Sequence, residues 1–306
     1  MSSPRLLAAA LVAPLALAAP LARADGFSVD RYRATPAGDA FFAVESAASQ
    51  PLEGGDGAGE GNLRAAVVFD YANAPVVLRQ AAGSGLELGK PVSYQAFAHA
   101  DAAFDVSDRV IAWVDAPFVV ASSGQAGAAS LLGMHEPSGS ALGDVRLGAR
   151  VRLLGAKDGA FQLALSDAIA LPTGDPQQLA GDGRLAFEES LVAGGLVDQQ
   201  RGLWGASLGA RLRPDHAIGD RRVGNEVTFG AAYALFAARR RVSFGLETFG
   251  AVGVGSGSRG VALEALVDAR VHLSPWFVGV AAGPGLTSAV GTPSYRLLLT
   301  AGWAAF

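Results

Sequence analysis

Hydrophobic and polar residues alternate one by one over much of the chain. In residues 147–153, leucine, alanine and valine occupy the odd positions, whereas Gly148, Arg150 and Arg152 occupy the even ones. Successive side chains of a β-strand point to opposite faces of the sheet, so this segment forms one apolar and one arginine-bearing face. The pattern predicts a strand here.

Similar segments recur from residue 62 onward, and each has roughly the 9–13 residues with which a tilted strand crosses a bilayer. They cover residues 63–71, 92–104, 110–118, 145–153, 161–171, 187–197, 204–212, 227–235, 242–254, 261–273, 276–286 and 295–305. After the N-terminal region, no apolar run reaches the roughly 18 residues that a transmembrane helix requires. The sequence predicts an all-β fold, a transmembrane antiparallel up-and-down β-barrel of about 12 strands.

The connections between these segments alternate in length, which is typical of outer-membrane barrels. The short ones are residues 105–108, 155–159, 198–201, 237–241 and 274–275. The generally longer ones are residues 72–91, 121–143, 172–186, 213–224, 255–260 and 287–293. We expect the short turns on the periplasmic side and the longer loops outside the cell.

One face of the predicted strands is hydrocarbon, as at Val67, Phe69 and Leu246, and the other face is charged. In a membrane barrel the charged face lines the lumen. In a soluble sandwich, which is the alternative architecture, the charged face would point outward to water. The predicted lumen-lining residues are Arg146, Arg150, Arg152, Arg211, Arg213, Glu226, Glu247, Glu264, Asp268 and Arg270.

The order of the hairpins predicts which of these charges are neighbours. Arg211 and Arg213 should lie beside Glu226, and Glu247 should lie close to Asp268 and Arg270. Alternating signs favour cross-strand ion pairs that brace the wall. The alternative is that each charge is separately hydrated in a wide pore.

Two places break the regular pattern. Asp167 falls on the lipid-facing parity of its strand, where a charge is costly, so a bulge or a change of register is expected nearby. In residues 187–197 the adjacent Glu188 and Glu189 leave the facing of the strand open.

The N-terminal region has a different composition. Residues 1–24 contain Arg5, an apolar stretch over 6–21 and the sequence Ala22-Arg23-Ala24, which together predict a cleaved signal peptide. Residues 25–61 are interpreted as a periplasmic extension or a partial plug. Residues 62–306 are assigned to the barrel.

Composition narrows the chemistry further. The formal net charge is −4, and loss of Arg5 and Arg23 with the signal would make the chain more acidic, so nucleic acid is excluded as a partner. The chain has no cysteine, which excludes disulfides, thiolate metal sites and cysteine nucleophiles. Its four histidines are not at metal-ligand spacing, so neither a cofactor nor a metal site is predicted.

Residues 205–209 read Gly-Ala-Ser-Leu-Gly, the pattern of a serine-hydrolase elbow. The pattern lies inside an alternating strand and not at a strand-to-helix turn, so we interpret it as small lumen-facing residues. A barrel phospholipase would need a serine and a histidine on the lipid face, whereas His99 and His272 fall on lumen parity. The protein is predicted not to be an enzyme.

Several motifs resemble the barrel portion of myxobacterial OmpA-family outer-membrane proteins. They are residues 27–32, 38–46, 143–148, 171–175, 283–288 and 291–293. That family usually continues into a peptidoglycan-binding domain, and this chain ends at Phe306, so a cell-wall anchoring role is not carried over. The terminal Phe306 resembles the aromatic residue that the barrel-assembly machinery reads.

These observations predict a location in the outer membrane, in contact with its lipid, after handling by periplasmic chaperones and the barrel-assembly machinery. About twelve strands enclose a lumen wider than an eight-stranded barrel and narrower than a general porin. A narrow channel or transporter for small solutes is therefore expected. The alternatives are a passive structural barrel with a closed lumen and, less favoured, an outer-membrane phospholipase.

Overall fold

The fold is described from a computed structural model, which covers residues 27–48, 62–80, 86–219, 221–255 and 260–304. The expected signal peptide and Phe306 lie outside these residues. The elements, in chain order, are β1 (Leu63–Arg79), β2 (Glu87–Ser107), β3 (Val110–Ser123), α1 (Ala126–Leu131), β4 (Ala141–Leu142), β5 (Arg146–Leu154), β6 (Gln162–Ala170), β7 (Ala186–Val197), β8 (Gly202–Leu212), β9 (His216–Ile218), β10 (Arg221–Val223), β11 (Glu226–Ala237), β12 (Val242–Gly253), β13 (Val261–Leu273), β14 (Trp276–Pro284) and β15 (Tyr295–Ala304).

Twelve of the strands form a closed antiparallel barrel, as the alternation predicted. Each pairs with its neighbours along the chain, apart from β4, β9 and β10, and β1 pairs with β15 from Arg64↔Ala304 to Asn73↔Tyr295 to close the sheet. The two-residue strand β4 extends the sheet beside β3, and β9 and β10 form a small separate hairpin. Closure leaves no free sheet edge along the barrel.

The two faces of the wall have the polarity of a membrane barrel. Leu208 and Leu246 on the outer face are each 60% exposed, whereas Arg296 on the inner face is fully buried. A soluble sandwich would present its polar face to water, so that alternative is excluded. In the part of the chain that the structure describes, no helix has the length and apolar character needed to cross a bilayer.

Aromatic residues gather near the strand ends on the outer surface. The rings of Tyr71 and Tyr94 stack at 5.9 Å, and Tyr295 lies 6.1 Å from Tyr71. At the short-turn end, Phe161 and Trp204 are 6.2 Å apart. Such clusters match the interfacial girdles of outer-membrane barrels.

One expectation about local structure is wrong, and another holds on only one side of its strand. Residues 72–91 form no long loop, because β1 and β2 continue as a bulged hairpin, with register shifts after Asn73, up to a connection at residues 80–86. Along β7 the register of β6 runs without a break from Gln162 to Ala170, whereas along β5 it shifts between Arg152↔Ala164 and Leu154↔Leu163, three residues before Asp167. This shift does not turn Asp167 inward. Asp167 instead points outward opposite Glu189, three residues from the loop end of β6, where water and headgroups can solvate it.

Candidate functional site

The interior of the barrel is occupied by residues 27–48, which we call the plug. Its start lies among the long loops, where Ser28 donates its backbone N–H to Asp182 and Phe27 stacks on His216 at 5.9 Å. Its middle reaches the short-turn end, where a Cβ on Gly38 would lie 2.8 Å from the Arg64 side chain. The plug therefore follows the lumen from one end of the barrel to the other.

Apolar side chains of the plug pack against the inner wall. Tyr32, Phe41, Phe42 and Val44 are fully or nearly fully buried. They join a core cluster with the wall residues Val68, Leu196, Leu203, Ala232, Ala234, Phe249, Leu266, Ala281 and Leu298. Burying an aromatic or large aliphatic side chain stabilises the folded arrangement by about 1.5–3 kcal/mol.

Glycines in the wall make room for particular plug residues. An ideal Cβ on Gly205 would lie 3.1 Å from Phe41, one on Gly230 would lie 3.0 Å from Val44, and one on Gly279 would lie 3.1 Å from Phe42. Such distances are shorter than ordinary van der Waals contact. The inner surface is thus shaped to the plug, and Gly205 of the Gly-Ala-Ser-Leu-Gly segment serves that packing.

All five charged side chains of the plug pair with the wall. Arg31 lies 2.6 Å from Glu226, Arg33 lies 3.1 Å from Glu188, and Asp30 lies 3.2 Å from Arg296. Arg150 binds both oxygens of Asp39, at 2.6 and 2.9 Å, and reaches Glu45 at 3.4 Å. These pairs are largely removed from water, so losing one partner would leave a buried charge uncompensated.

Glu247 holds the plug by its backbone. Its Oε1 accepts the N–H of Phe42 at 2.7 Å, and its Oε2 accepts the N–H groups of Ala43 and Val44 at 2.8 and 3.0 Å. Successive backbone N–H groups that converge on a carboxylate form an anion-binding nest. The carboxylate thereby fixes the turn that presents Phe42 and Val44 to the wall.

Most of the predicted lumen-lining residues contact other residues of the wall or of its connections. Arg213 lies 3.4 Å from Glu226, as the hairpin geometry suggested, while Arg211 pairs with Asp182 at 3.1 Å and with Glu188 at 3.3 Å. The other contacts join Arg146 to Asp115 and Glu188, Arg152 to Gln162 and the Asp108 carbonyl, and Glu264 to Arg296.

Glu247, Asp268 and Arg270, which were expected to pair with one another across the strands, form no ion pair among the contacts described. Glu247 binds the plug backbone, and Arg270 donates to the carbonyl of Asp39, with its guanidinium carbon 4.2 Å from the Phe42 ring centroid. Neither oxygen of Asp268 has a hydrogen-bond partner among the described residues. Bracing of this part of the wall therefore runs through the plug more than across the strands.

Beside the plug lies a cavity of about 110 Å³. Four arginines and four glutamates line it, namely Arg31, Arg33, Arg146, Arg211, Glu45, Glu188, Glu226 and Glu264. Ser190, Ser207 and Thr228 add hydroxyl groups, and Phe249 adds an aromatic face. The chemistry of this cavity suits a small polar solute that carries both signs of charge.

The connection between β6 and β7 covers the start of the plug through Asp182. Its Oδ1 accepts the N–H of Ser28 at 3.0 Å, and its Oδ2 lies 3.1 Å from Arg211. Burial alone would raise the pKa of the Asp182 carboxyl, but Arg211 and Arg213 outweigh burial and hold the pKa below its ordinary value. The contact is therefore made by a carboxylate over the neutral pH range.

This pKa shift predicts how the contact between Asp182 and the start of the plug responds to acid. A carboxyl whose pKa is depressed in the folded state adds stability above its unfolded value, about 3.9, and loses it as the pH falls towards the folded value. The protection of the Ser28 and Val29 amides against hydrogen exchange, relative to the intrinsic rate at each pH, should therefore be constant from pH 8 to 5 and fall below about pH 4. In Asp182→Ala the exchange should already be fast at pH 6. Exchange that is equally slow in the variant would contradict this role.

The sequence analysis did not predict which plug residues form the ion pairs with the barrel wall. Asp30, Arg31, Arg33, Asp39 and Glu45 were visible as a run of charges among aromatic residues, but no periodicity gave them a structure. Glu188 and Arg296 were also missed as lumen residues. Three arginines, Arg33, Arg146 and Arg211, converge on Glu188 from the plug, β5 and β8.

Comparison with known proteins bears on the fold alone. No family model and no curated protein sequence matches this chain. The structure is similar to the COG4313 outer membrane channel from Pseudomonas putida F1, with a TM-score of 0.56 and 15% identity over 83% of this chain and 100% of that chain. The toluene transporter TbuX of Ralstonia pickettii gives a TM-score of 0.40 and 11% identity over 81% of this chain and 90% of that chain. The fold is that of an outer-membrane β-barrel.

Proposed function

We propose that this protein is an outer-membrane channel for small solutes and that the plug closes its lumen in the arrangement described above. The observation that carries the proposal is a lumen with a polar, charged wall that is filled by a separate segment of the chain. A barrel with a purely structural role needs no such wall, because apolar side chains can fill a narrow lumen. Its location in the outer membrane, and its assembly there by the usual machinery, belong to the same proposal.

The proposed solute route passes through the cavity beside the plug. Arg31 and Arg33 approach it from the plug, and Glu188, Glu226 and Glu264 approach it from the wall. The balance of signs favours small zwitterionic or neutral polar solutes over ions of one sign. A cavity of about 110 Å³ holds only a few water-sized molecules, so conduction requires the plug to shift.

Such a shift is compatible with the way the plug is held. The plug contains neither a helix nor a strand, and it adds no strand to the barrel sheet. Its ion pairs offset much of their own desolvation cost, so each contributes little net stability relative to a hydrated open state. The wall, by contrast, is closed by a continuous ladder of backbone hydrogen bonds from β1 to β15.

The family resemblance fits the proposal but does not extend it. Residues 27–32 and 38–46, two of the segments that resemble the myxobacterial OmpA-family barrel, lie within the plug. Membership of that family stays a prediction. An enzymatic role is not favoured, because neither His99 nor His272 lies on the outer face.

A passive structural barrel is the second candidate, and the density of plug contacts favours it. Asp39 and Glu247 alone fasten the plug to β5 and β12 through five short contacts. If the plug never leaves, the lumen is permanently closed. Conductance measurements separate the two candidates.

Purified protein in planar bilayers should conduct in brief openings of low conductance. In Glu226→Gln, Arg31 and Arg213 lose their shared carboxylate, so the reversal potential in a salt gradient should shift towards anion selectivity. Arg213→Glu should shift it towards cations. Both shifts should be largest at low salt, where screening is weakest.

Glu189→Gln is the matched control, because Glu189 lies on the outer face of β7. Its selectivity should equal that of the wild type. A folded wild type that never conducts would favour the structural barrel. If the wild type conducts and neither lumen substitution alters the reversal potential, the solute route does not pass this cavity.

A further inference from the structure

Three potential metal ligands meet where the plug crosses the first two strands. One carboxylate oxygen of Asp30, one of Asp70 and one ring nitrogen of His99 all lie within 4.8 Å of one another. Asp30 belongs to the plug, Asp70 to β1 and His99 to β2. Each of the three residues is at most 4% exposed.

Each wall ligand keeps one atom without a hydrogen-bond partner among the described residues. The Nδ1 of His99 lies 3.0 Å from Asp115, and its Nε2 is unpartnered. Asp70 contacts Arg296 through Oδ2, and its Oδ1 is unpartnered. Asp30 uses a single oxygen, Oδ1, for both the Tyr32 N–H and Arg296. Buried polar atoms without partners are costly, at about 1–3 kcal/mol each, so they point to a missing ligand.

The surroundings supply an outer layer of contacts that a metal site needs. A carboxylate on the far nitrogen of a histidine ligand fixes the ring and raises its basicity, and Asp115 stands in that position. Arg296 bridges the remaining oxygens of Asp30 and Asp70 and orients both groups. These contacts occupy one atom of each wall ligand and leave Asp70 Oδ1 and His99 Nε2 available to a metal ion.

The charge balance also calls for a cation. Among the described residues, Arg296 is the only guanidinium that pairs with the carboxylates of Asp30 and Asp70, and it also binds Glu264. Asp101, which pairs in register with Asp115, has both oxygens unpartnered. Carboxylates therefore outnumber their cationic partners in a region removed from water, where uncompensated charge is expensive.

We propose that Asp30, Asp70 and His99 bind a divalent transition-metal ion, with Zn²⁺ the best match. Two carboxylates and one imidazole are a ligand set that zinc accepts, with water in the fourth position. Calcium and magnesium require six or more ligands, mostly oxygen, which this group does not offer. Tetrahedral zinc ligands lie roughly 3.3 Å apart, so a contraction of at most about 1.5 Å brings these atoms to that separation.

The metal would fasten the plug to the wall, because Asp30 is the only ligand that belongs to the plug. Binding itself does not depend on the protein being a channel. Its consequence for conduction rests on the proposed function, so the two are tested separately.

Zinc binding is measured by titration calorimetry on the full, tag-free protein in detergent after treatment with a chelator. One Zn²⁺ per chain is expected, and X-ray absorption should give one nitrogen and two carboxylates at about 2.0–2.2 Å. Asp70→Asn, His99→Ala and Asp30→Asn should each weaken binding at least tenfold. Asp115→Asn should weaken it by about 10–100-fold, as an outer contact does.

Two controls separate this site from adventitious binding. His272→Ala removes an inward histidine of β13, and Asp268→Asn removes a buried carboxylate elsewhere in the lumen, so both should bind zinc like the wild type. Folding is checked by the heat-dependent gel shift of intact barrels, and Asp30→Asn lies outside the strands, so it should leave the barrel formed.

Folded wild type that binds no zinc would overturn the proposal. Binding that survives in both Asp30→Asn and His99→Ala would assign the zinc to other groups and overturn it too. Neither result bears on whether the barrel conducts, because no bilayer is used.

Discussion

Joining Val44 of the plug to Gly230 of the wall by a disulfide should abolish conduction, and reduction should restore it. The pair is well placed, because an ideal Cβ on Gly230 lies 3.0 Å from a Val44 methyl carbon, and disulfides need Cβ atoms about 3.5–4.5 Å apart. The chain has no cysteine of its own, so no competing bridge can form. Conductance in planar bilayers, before and after addition of a reductant, measures the effect.

A drop of at least about tenfold is expected on oxidation, because a plug fixed in a lumen of this size leaves no wide path. The single variants Val44→Cys and Gly230→Cys are the matched controls, and their conductance should not respond to the reductant. Gly127→Ala, at a position where an added Cβ meets nothing within 4 Å, controls for glycine replacement as such. Undiminished conduction through the oxidised double variant would show that the plug does not gate the lumen.

The barrel could be predicted from the sequence because its strands repeat a local rule. Alternation along β5, from Arg146 to Leu154, needs no knowledge of the rest of the chain. Alternating strands that are long enough to cross a bilayer place their apolar face towards lipid and their polar face towards the lumen. For the same reason, the boundaries failed where the rule was interrupted, as in the bulged extension of β1 and β2 beyond Asn73.

The plug could not be predicted in this way, because its structure is set by contacts that lie far apart in the chain. Asp39 and Arg150 are 111 positions apart, and Phe42 and Glu247 are 205 positions apart. Residues 27–48 contain neither a helix nor a strand, so no local period marks them. The sequence does contain small residues on the inner face of the wall, such as Gly230 and Gly279. Their role becomes clear only from the structure, in which they make room for Val44 and Phe42.

The ion pairs show the same limit. Hairpin geometry correctly brought Arg213 next to Glu226, because the two residues flank one connection. It could not anticipate that Arg31 of the plug would share the same carboxylate at 2.6 Å. Because Arg31 also binds Glu226, an ion pair expected only between two wall strands also connects the wall to the plug.

Replacing Glu247 by alanine should release the central turn of the plug and raise the open probability of the channel by about tenfold or more. Three backbone N–H groups lose their acceptor, and hydrogen bonds to a charged group contribute about 1.5–3 kcal/mol each. A change of only about 1.4 kcal/mol in the equilibrium between closed and open states is tenfold. Glu247→Gln keeps one acceptor oxygen, so its effect should be intermediate.

Single-channel recording measures the open probability, and hydrogen exchange at Phe42, Ala43 and Val44 reports release of the turn directly. Glu189→Ala removes a carboxylate from the outer face and should change neither quantity. Faster exchange with an unchanged open probability would mean that the turn is released without opening the lumen. Unchanged exchange would mean that the aromatic packing of Phe41 and Phe42, and not the carboxylate, holds the plug. Only a rise in both, graded from glutamine to alanine, makes Glu247 the latch of the closed state.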